Sequence, residues 1–427
     1  MTQTTQTLSR IVAVMAASLL GLLLVAGHAS AQAPSGQAAQ AVQPADLAGL
    51  WDAVVVVNGV EVPFRFELAG SGDALTGAFF DGDQRVRSTS GSARDGQVVL
   101  AFAQYGTQLL ATLRDGVLEG RYDRGTRGAG YPLRARRSVP EANDPSAPSI
   151  AGVWIVPTSS TKGEQAFRFI ARQQGSQVSA AILRVDGDTG TLSGSYADGR
   201  FLLSHFSGAR PARYEVTLKA DGSLELLQNG SMTLTAVRAS DPRAQALGKP
   251  SDPSEHTRVK DASVPLQVSA PSLGGGTVSL SDDRFRGKAV IVSVTGSWCP
   301  NCHDETPFLV ELHRKYRARG LEVVALTFEE AEQLKNPTRV RAFVTQYGIE
   351  YPVLLVGETD ELNAKLPQFE NLNAFPTTFY LGRDGRVRYV HAGFPSPASG
   401  AFYTEAREDI ERIVESLLAE PAPGAAK

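Results

Sequence analysis

Ala289-Val-Ile-Val-Ser-Val-Thr-Gly-Ser-Trp-Cys-Pro-Asn-Cys302 runs from an apolar, β-branched stretch straight into a pair of cysteines. Residues 289–295 have the composition of a strand buried on both faces. Phe308, Leu309, Leu312 and Tyr316 then recur at helical spacing and Gly320 offers a stop, which predicts a helix from about Cys299 to Arg319. Cys299 and Cys302 are the only two cysteines in 427 residues. A disulfide between them closes so small a loop that it can staple almost nothing, so the pair reads as a dithiol that cycles. Cys299 falls at the helix N-terminus, where the dipole and unpaired N–H groups favour an anion, and it is the expected attacking sulfur. Cys302, one turn further on, is the expected resolving thiol.

The chain after the dithiol alternates strands and helices, the sign of an α/β layer structure. Strands are predicted at 321–327, 351–356, 375–381 and 387–391, with Arg383-Asp-Gly-Arg386 as a tight turn. Helices are predicted at about 338–347 and 404–418.

Over residues 259–420 the chain resembles the TlpA/ResA-like thiol-disulfide oxidoreductases of the thioredoxin superfamily. The motifs that carry the likeness occur in the family's order: Gly296-Ser-Trp-Cys-Pro-Asn-Cys302, Glu305, Thr306-Pro307, Tyr347-Gly348, Pro376-Thr-Thr-Phe379 and Asp384-Gly385. The resemblance implies a thioredoxin-like fold and a redox-active Cys299–Cys302 disulfide. It also implies a cis Phe375–Pro376 bond facing the dithiol, with Trp298, Pro300, Phe375 and Pro376 contacting an extended substrate segment. Only an X–Pro bond readily adopts cis, although a proline opening an edge strand is the plainer reading of Pro376. Pro307 falls where the superfamily's first helix is kinked. Glu305 matches the family's proton-moving carboxylate; from position alone it is equally a first-turn acid that suits the helix dipole. Ser293 stands where the family often has Asn, and Thr295 replaces a frequent aromatic, which leaves more of the proton handling to Glu305 or water. Members of the family commonly reduce apocytochrome c or other exported disulfides and are recharged by a membrane dithiol carrier, so reduction is the implied direction. An oxidase or isomerase remains open, because sequence does not set a reduction potential.

Upstream lie two related segments. Leu47-Ala-Gly-Leu-Trp51 matches Ile150-Ala-Gly-Val-Trp154, and at the same offset Phe64-Arg-Phe66 matches Phe167-Arg-Phe169 and Asp95-Gly96 matches Asp198-Gly199. This predicts a duplicated domain. Each copy reads as antiparallel β, a small meander barrel or sandwich, because short alternating runs are punctuated by Asn58-Gly59 and repeated Asp-Gly pairs. The Gly-x-Trp opening of each copy resembles that of lipocalin-like barrels over a few residues only. Neither copy displays a local group of carboxylates, histidines or nucleophiles, so both are expected to be non-catalytic.

Arg10 precedes an apolar run at 11–27, and small-x-small sites follow at Ala29-Ser-Ala31 and Ala31-Gln-Ala33, the pattern of a secretory signal. An uncleaved N-terminal membrane anchor is the alternative. Export would put the dithiol in the periplasm. The expected organisation is a signal at 1–31, a spacer at 32–46, β copies at 47–138 and 150–239, and linkers at 139–149 and 240–258. The thioredoxin-like domain follows at 259–420, with a tail at 421–427. A net charge of -3 offers no basic excess for a nucleic-acid partner.

No cofactor or metal is expected. His303 beside the dithiol and the distant His391 raise copper delivery, but that branch of the superfamily resembles C-x-x-x-C, one residue longer. His303 is expected to be a solvated residue that modestly stabilises a thiolate, and His391 a strand residue. A peroxidase lacks support because the Pro-x-x-x-Thr-x-x-Cys arrangement is absent. The rival class is a partner-binding redox sensor or adaptor that uses the duplicated β region.

Overall fold

The computed structural model describes residues 47–140 and 143–421. The segments expected as a signal and a spacer, and all but the first residue of the expected tail, lie outside them. The Asn58-Gly59 turn behaves as its composition requires, with φ of 49° and 81°, and it joins Gly49–Val57 to Val60–Ala69 in antiparallel register. Gly49–Val57 also pairs with Tyr131–Arg137, the last strand of this region. A nine-stranded antiparallel meander thereby curls around Trp51, Phe66, Phe79, Phe102, Leu109 and Tyr122.

The second β region repeats the plan and closes it. Gly152–Pro157 pairs with both Ala166–Gln174 and Met232–Arg238, and Ala166–Gln174 pairs onward with Gln177–Arg184, sealing a barrel. Its core holds Trp154, Phe169, Phe201, Leu203, Val216 and Leu226. The indole N–H of Trp51 donates to the Leu47 carbonyl at 2.9 Å, and that of Trp154 donates to the Ile150 carbonyl at the same distance. Arg137 lies over the Trp51 ring at 4.5 Å, and Arg238 over Trp154 at 4.2 Å.

In the C-terminal domain Ala289–Thr295 is central, and every residue of it is buried. It runs parallel to Leu321–Phe328 and antiparallel to Thr377–Leu381, in a five-stranded sheet completed by Val353–Gly357 and Val387–Ala392. Alternation along the central strand sends Val290, Val292 and Val294 into one core layer. Ile291 goes into the other, against Phe308, Leu312, Tyr316, Ile410 and Val414.

The helix after the dithiol is Pro300–Tyr316, ending in a 3₁₀ turn at Arg317–Arg319 with Gly320 at φ 95°. The last helix, Ala401–Ala419, starts a turn earlier than its periodicity suggested, because Gly400 at φ 61° lets the chain enter it from the preceding 3₁₀ turn. Among the described residues no helix is long and apolar enough to cross a membrane.

The β regions do contribute a polar cluster, although neither shows one in its own sequence. Asp81 of the first accepts from Thr191 N–H of the second at 2.7 Å, beside buried His205 and Asp188 and half-buried Arg210. The cluster is made where strand ends of the two regions meet, so no local spacing marks it.

Candidate active site

After the central strand Ala289–Thr295, Gly296-Ser297 carries the chain over to the helix. Ser297 donates from N–H and hydroxyl to the two carboxylate oxygens of Glu329, each at 2.7 Å. Arg339 reaches the same Glu329 oxygen at 2.8 Å and donates from Nε to the Ser297 hydroxyl at 2.8 Å. Both charges are almost wholly buried, at 3% and 0% side-chain exposure, so each depends on the other. This brace was missed in the sequence. The Glu329-Glu330 pair just after a buried strand was its only local signal.

Cys299 is the N-cap of the redox helix. Its carbonyl accepts from Cys302 N–H at 3.1 Å and from His303 N–H at 3.2 Å. The Cys302 N–H also lies 3.3 Å from the Cys299 sulfur, the placement of a backbone donor that would hold a thiolate. Both cysteines are free thiols, 3% and 1% exposed. The Cys299 thiol points at the Phe375 carbonyl, 3.5 Å away. Phe375–Pro376 is cis, as the resemblance implied. Trp298 stands edge-on to Phe375 at 5.2 Å and donates its indole N–H to the Phe328 carbonyl at 2.8 Å. The sequence-named residues Trp298, Cys299, Phe375 and Pro376 thus converge on one spot.

Glu305 lies behind the pair, 2% exposed. The Thr378 hydroxyl donates to one of its oxygens at 2.6 Å and Ser293 to the other at 2.9 Å. Burial pushes this carboxyl up to about 7 against the pull of those two bonds. Burial first, then the neighbouring Cys299 sulfur, pushes the Cys302 thiol well above its usual range, and the charge of Glu305 adds to it. Ser293, the departure from the family pattern, is therefore a hydroxyl that orients the carboxyl. Glu305 is the sixth residue of Pro300–Tyr316, beyond the first turn in which an acid suits the helix dipole.

His303 corrects an expectation. It is buried at 4% exposure rather than solvated. Its ring stacks on Tyr105 of the first β region at a centroid distance of 4.2 Å. Nε2 lies 2.9 Å from the Ser297 carbonyl, which can only accept, so Nε2 carries the proton and Nδ1 accepts from the Tyr347 hydroxyl at 2.8 Å. Burial pushes its pKa down to about 3, which leaves it neutral and unable to stabilise a thiolate by charge. His391 sits on Val387–Ala392, and its Nδ1 is bonded to the Gly393 carbonyl at 3.0 Å.

Residues 258–404 match the family described as Redoxin. The thiol-disulfide oxidoreductase ResA of Geobacillus kaustophilus is 30% identical over 163 residues, spanning 38% of this chain and 81% of that protein. The chain belongs to the ResA-like thiol-disulfide oxidoreductases of the thioredoxin superfamily. A second ResA, from Bacillus thuringiensis strain Al Hakam, is 32% identical over 115 residues, 27% of this chain and 60% of that relative's length. A solved thiol:disulfide interchange protein of the thioredoxin family from Chlorobium tepidum is 28% identical over 36% of this chain and 95% of its own, with a TM-score of 0.29. Membership of the ResA-like family makes the C-terminal domain a thioredoxin-type disulfide oxidoreductase that acts on disulfide-containing proteins.

Proposed function

We propose that this protein is exported to the periplasm, its signal cleaved after about residue 31, and there reduces disulfides of other exported proteins, apocytochrome c among them. The observation that carries the assignment is the meeting, within one site, of the N-capping Cys299, the Phe375 carbonyl before cis Pro376, and the buried Glu305. Cys299 attacks as the thiolate. One substrate sulfur bonds to Cys299, and the other leaves and takes up a proton. Cys302 then gives its proton to the Glu305 carboxylate and attacks the Cys299 sulfur, forming the Cys299–Cys302 disulfide and expelling the second substrate thiol. Phe375 and Pro376 present backbone to the substrate segment, flanked by Trp298 and Pro300. With only two cysteines in the chain, the spent disulfide is recharged from outside, by a membrane dithiol carrier.

The β regions are read as a duplication occupying 47–138 and 150–239, ahead of the redox domain at 259–420. The matching indole bonds of Trp51 and Trp154 and the matching cations over them support this reading.

The test is capture. Cys302→Ala leaves Cys299 able to attack but removes the sulfur that resolves. Incubated with an extract of exported proteins, this variant should accumulate covalent adducts that dithiothreitol releases. No adducts, or adducts that persist in Cys299→Ser/Cys302→Ala, would overturn the substrate class or the nucleophile respectively.

A further inference from the structure

One flank of the dithiol is built by residues from far earlier in the chain. Asn301, between the two cysteines, is 6% exposed and its amide is held on both sides. Its Nδ2 donates to the Asp186 carbonyl at 2.5 Å, and its Oδ1 accepts from Arg210. The same guanidinium donates to the Asp188 carbonyl at 2.7 Å and to the Asp304 carboxylate, on the next turn of the redox helix, at 3.2 Å. Arg210 and Asp304 retain only 17% and 20% side-chain exposure.

The segment that carries these contacts is clamped. Asp188 accepts from the Ser396 N–H at 2.7 Å, the Ser396 hydroxyl at 2.9 Å and the Ser399 hydroxyl at 2.6 Å. Gly187 bridges Phe394, next to Gly393, whose N–H donates to the Pro376 carbonyl at 2.7 Å. A Cβ at Gly187 would come within 2.5 Å of the Phe394 carbonyl oxygen and 2.7 Å of the Asn301 amide, so only glycine allows this approach.

We propose that Arg210 of the second β region is a positioning residue of the dithiol site, fixing Asn301 between the cysteines and balancing Asp304 on the redox helix. The redox equilibrium of Cys299 and Cys302 is then set in part from outside the thioredoxin-like domain. This rests on the reading of the two cysteines as the cycling dithiol. A cation near the helix N-terminus favours the reduced form, which alone can carry charge on sulfur, and an anion on that helix disfavours it. Arg210 and Asp304 therefore act with opposite sign.

The experiment equilibrates the full chain with reduced and oxidised glutathione at pH 8, where Asp304, raised by burial to about 7, is ionised. Arg210→Met should shift the equilibrium about tenfold toward the protein disulfide, about 30 mV for a two-electron couple. Asp304→Asn should shift it toward the dithiol. A merely structural contact would move both variants in the same direction. Either that result or an unchanged equilibrium in both overturns the proposal. Asp304→Asn is isosteric and decides the matter even if Arg210→Met does not fold. Because the readout is an equilibrium with glutathione, it stands apart from protein reduction. A wild type that cycles but leaves insulin disulfides intact would sink the proposed function and leave this inference untouched.

Discussion

Replacing Cys299 by Ser should abolish insulin disulfide reduction, leaving the rate of the reductant alone. A hydroxyl cannot exchange with a disulfide, and the chain holds no third cysteine to take over. The backbone N–H of Cys302, 3.3 Å from the Cys299 sulfur, then has no thiolate to hold. Folding should be unaffected, since Ser is a small N-capping residue and nearly as good a fit at that position. The readout is turbidity from precipitating insulin chains, with a thermal melt as the control. Retained activity in Cys299→Ser would remove the assigned nucleophile.

Glu305→Gln should slow the step in which Cys302 attacks by on the order of 10²-fold, the usual contribution of one positioned base. Gln keeps the shape and can still bond Ser293 and Thr378, but it cannot accept a proton from the Cys302 thiol. The mixed disulfide with substrate should then accumulate and decay slowly, which quenched-flow sampling reads directly.

The same substitution carries a stability signature. Glu305 is raised from an ordinary 4.5 to about 7 in the fold, so the folded state holds its proton more tightly than the unfolded chain. The stability tied to that proton is complete below about pH 4.5 and is lost as pH rises through about 7. Glu305→Gln escapes this loss and should exceed wild type by up to about 3 kcal/mol at pH 8, with little difference at pH 4. Urea titrations at the two values check it. Asp304, also raised by burial to about 7, keeps its own pH dependence in both proteins and cancels from the comparison. Equal pH dependence in wild type and variant would mean that Glu305 is not the buried acid described.

What could be read from the chain was what local spacing controls. The buried strand Ala289–Thr295, the N-capping Cys299, the distant Pro376 and the Asn58-Gly59 hairpin each depend on neighbours in sequence or on a motif of fixed order, and each stands where expected. Glu305 was legible as a residue on the redox helix. Its burial against the Thr378 hydroxyl, which reaches it from the strand Thr377–Leu381, was not. His303 went astray for the same reason. Its polar neighbours Asp304 and Asn301 suggest solvent, whereas Tyr105, nearly two hundred residues upstream in the chain, covers its ring. The Asp188–Ser396 and Arg210–Asp304 contacts join segments far apart in the chain that share no period. Nothing in a single sequence marks which of them meet.

Whether Cys299 and Cys302 form a reducing dithiol is decided by the reduction potential of the protein. The protein is equilibrated with glutathione buffers and the dithiol fraction counted by thiol alkylation. A value near thioredoxin's, about -270 mV, is the predicted result, and one near DsbA's, about -120 mV, would contradict it and make the protein an oxidant.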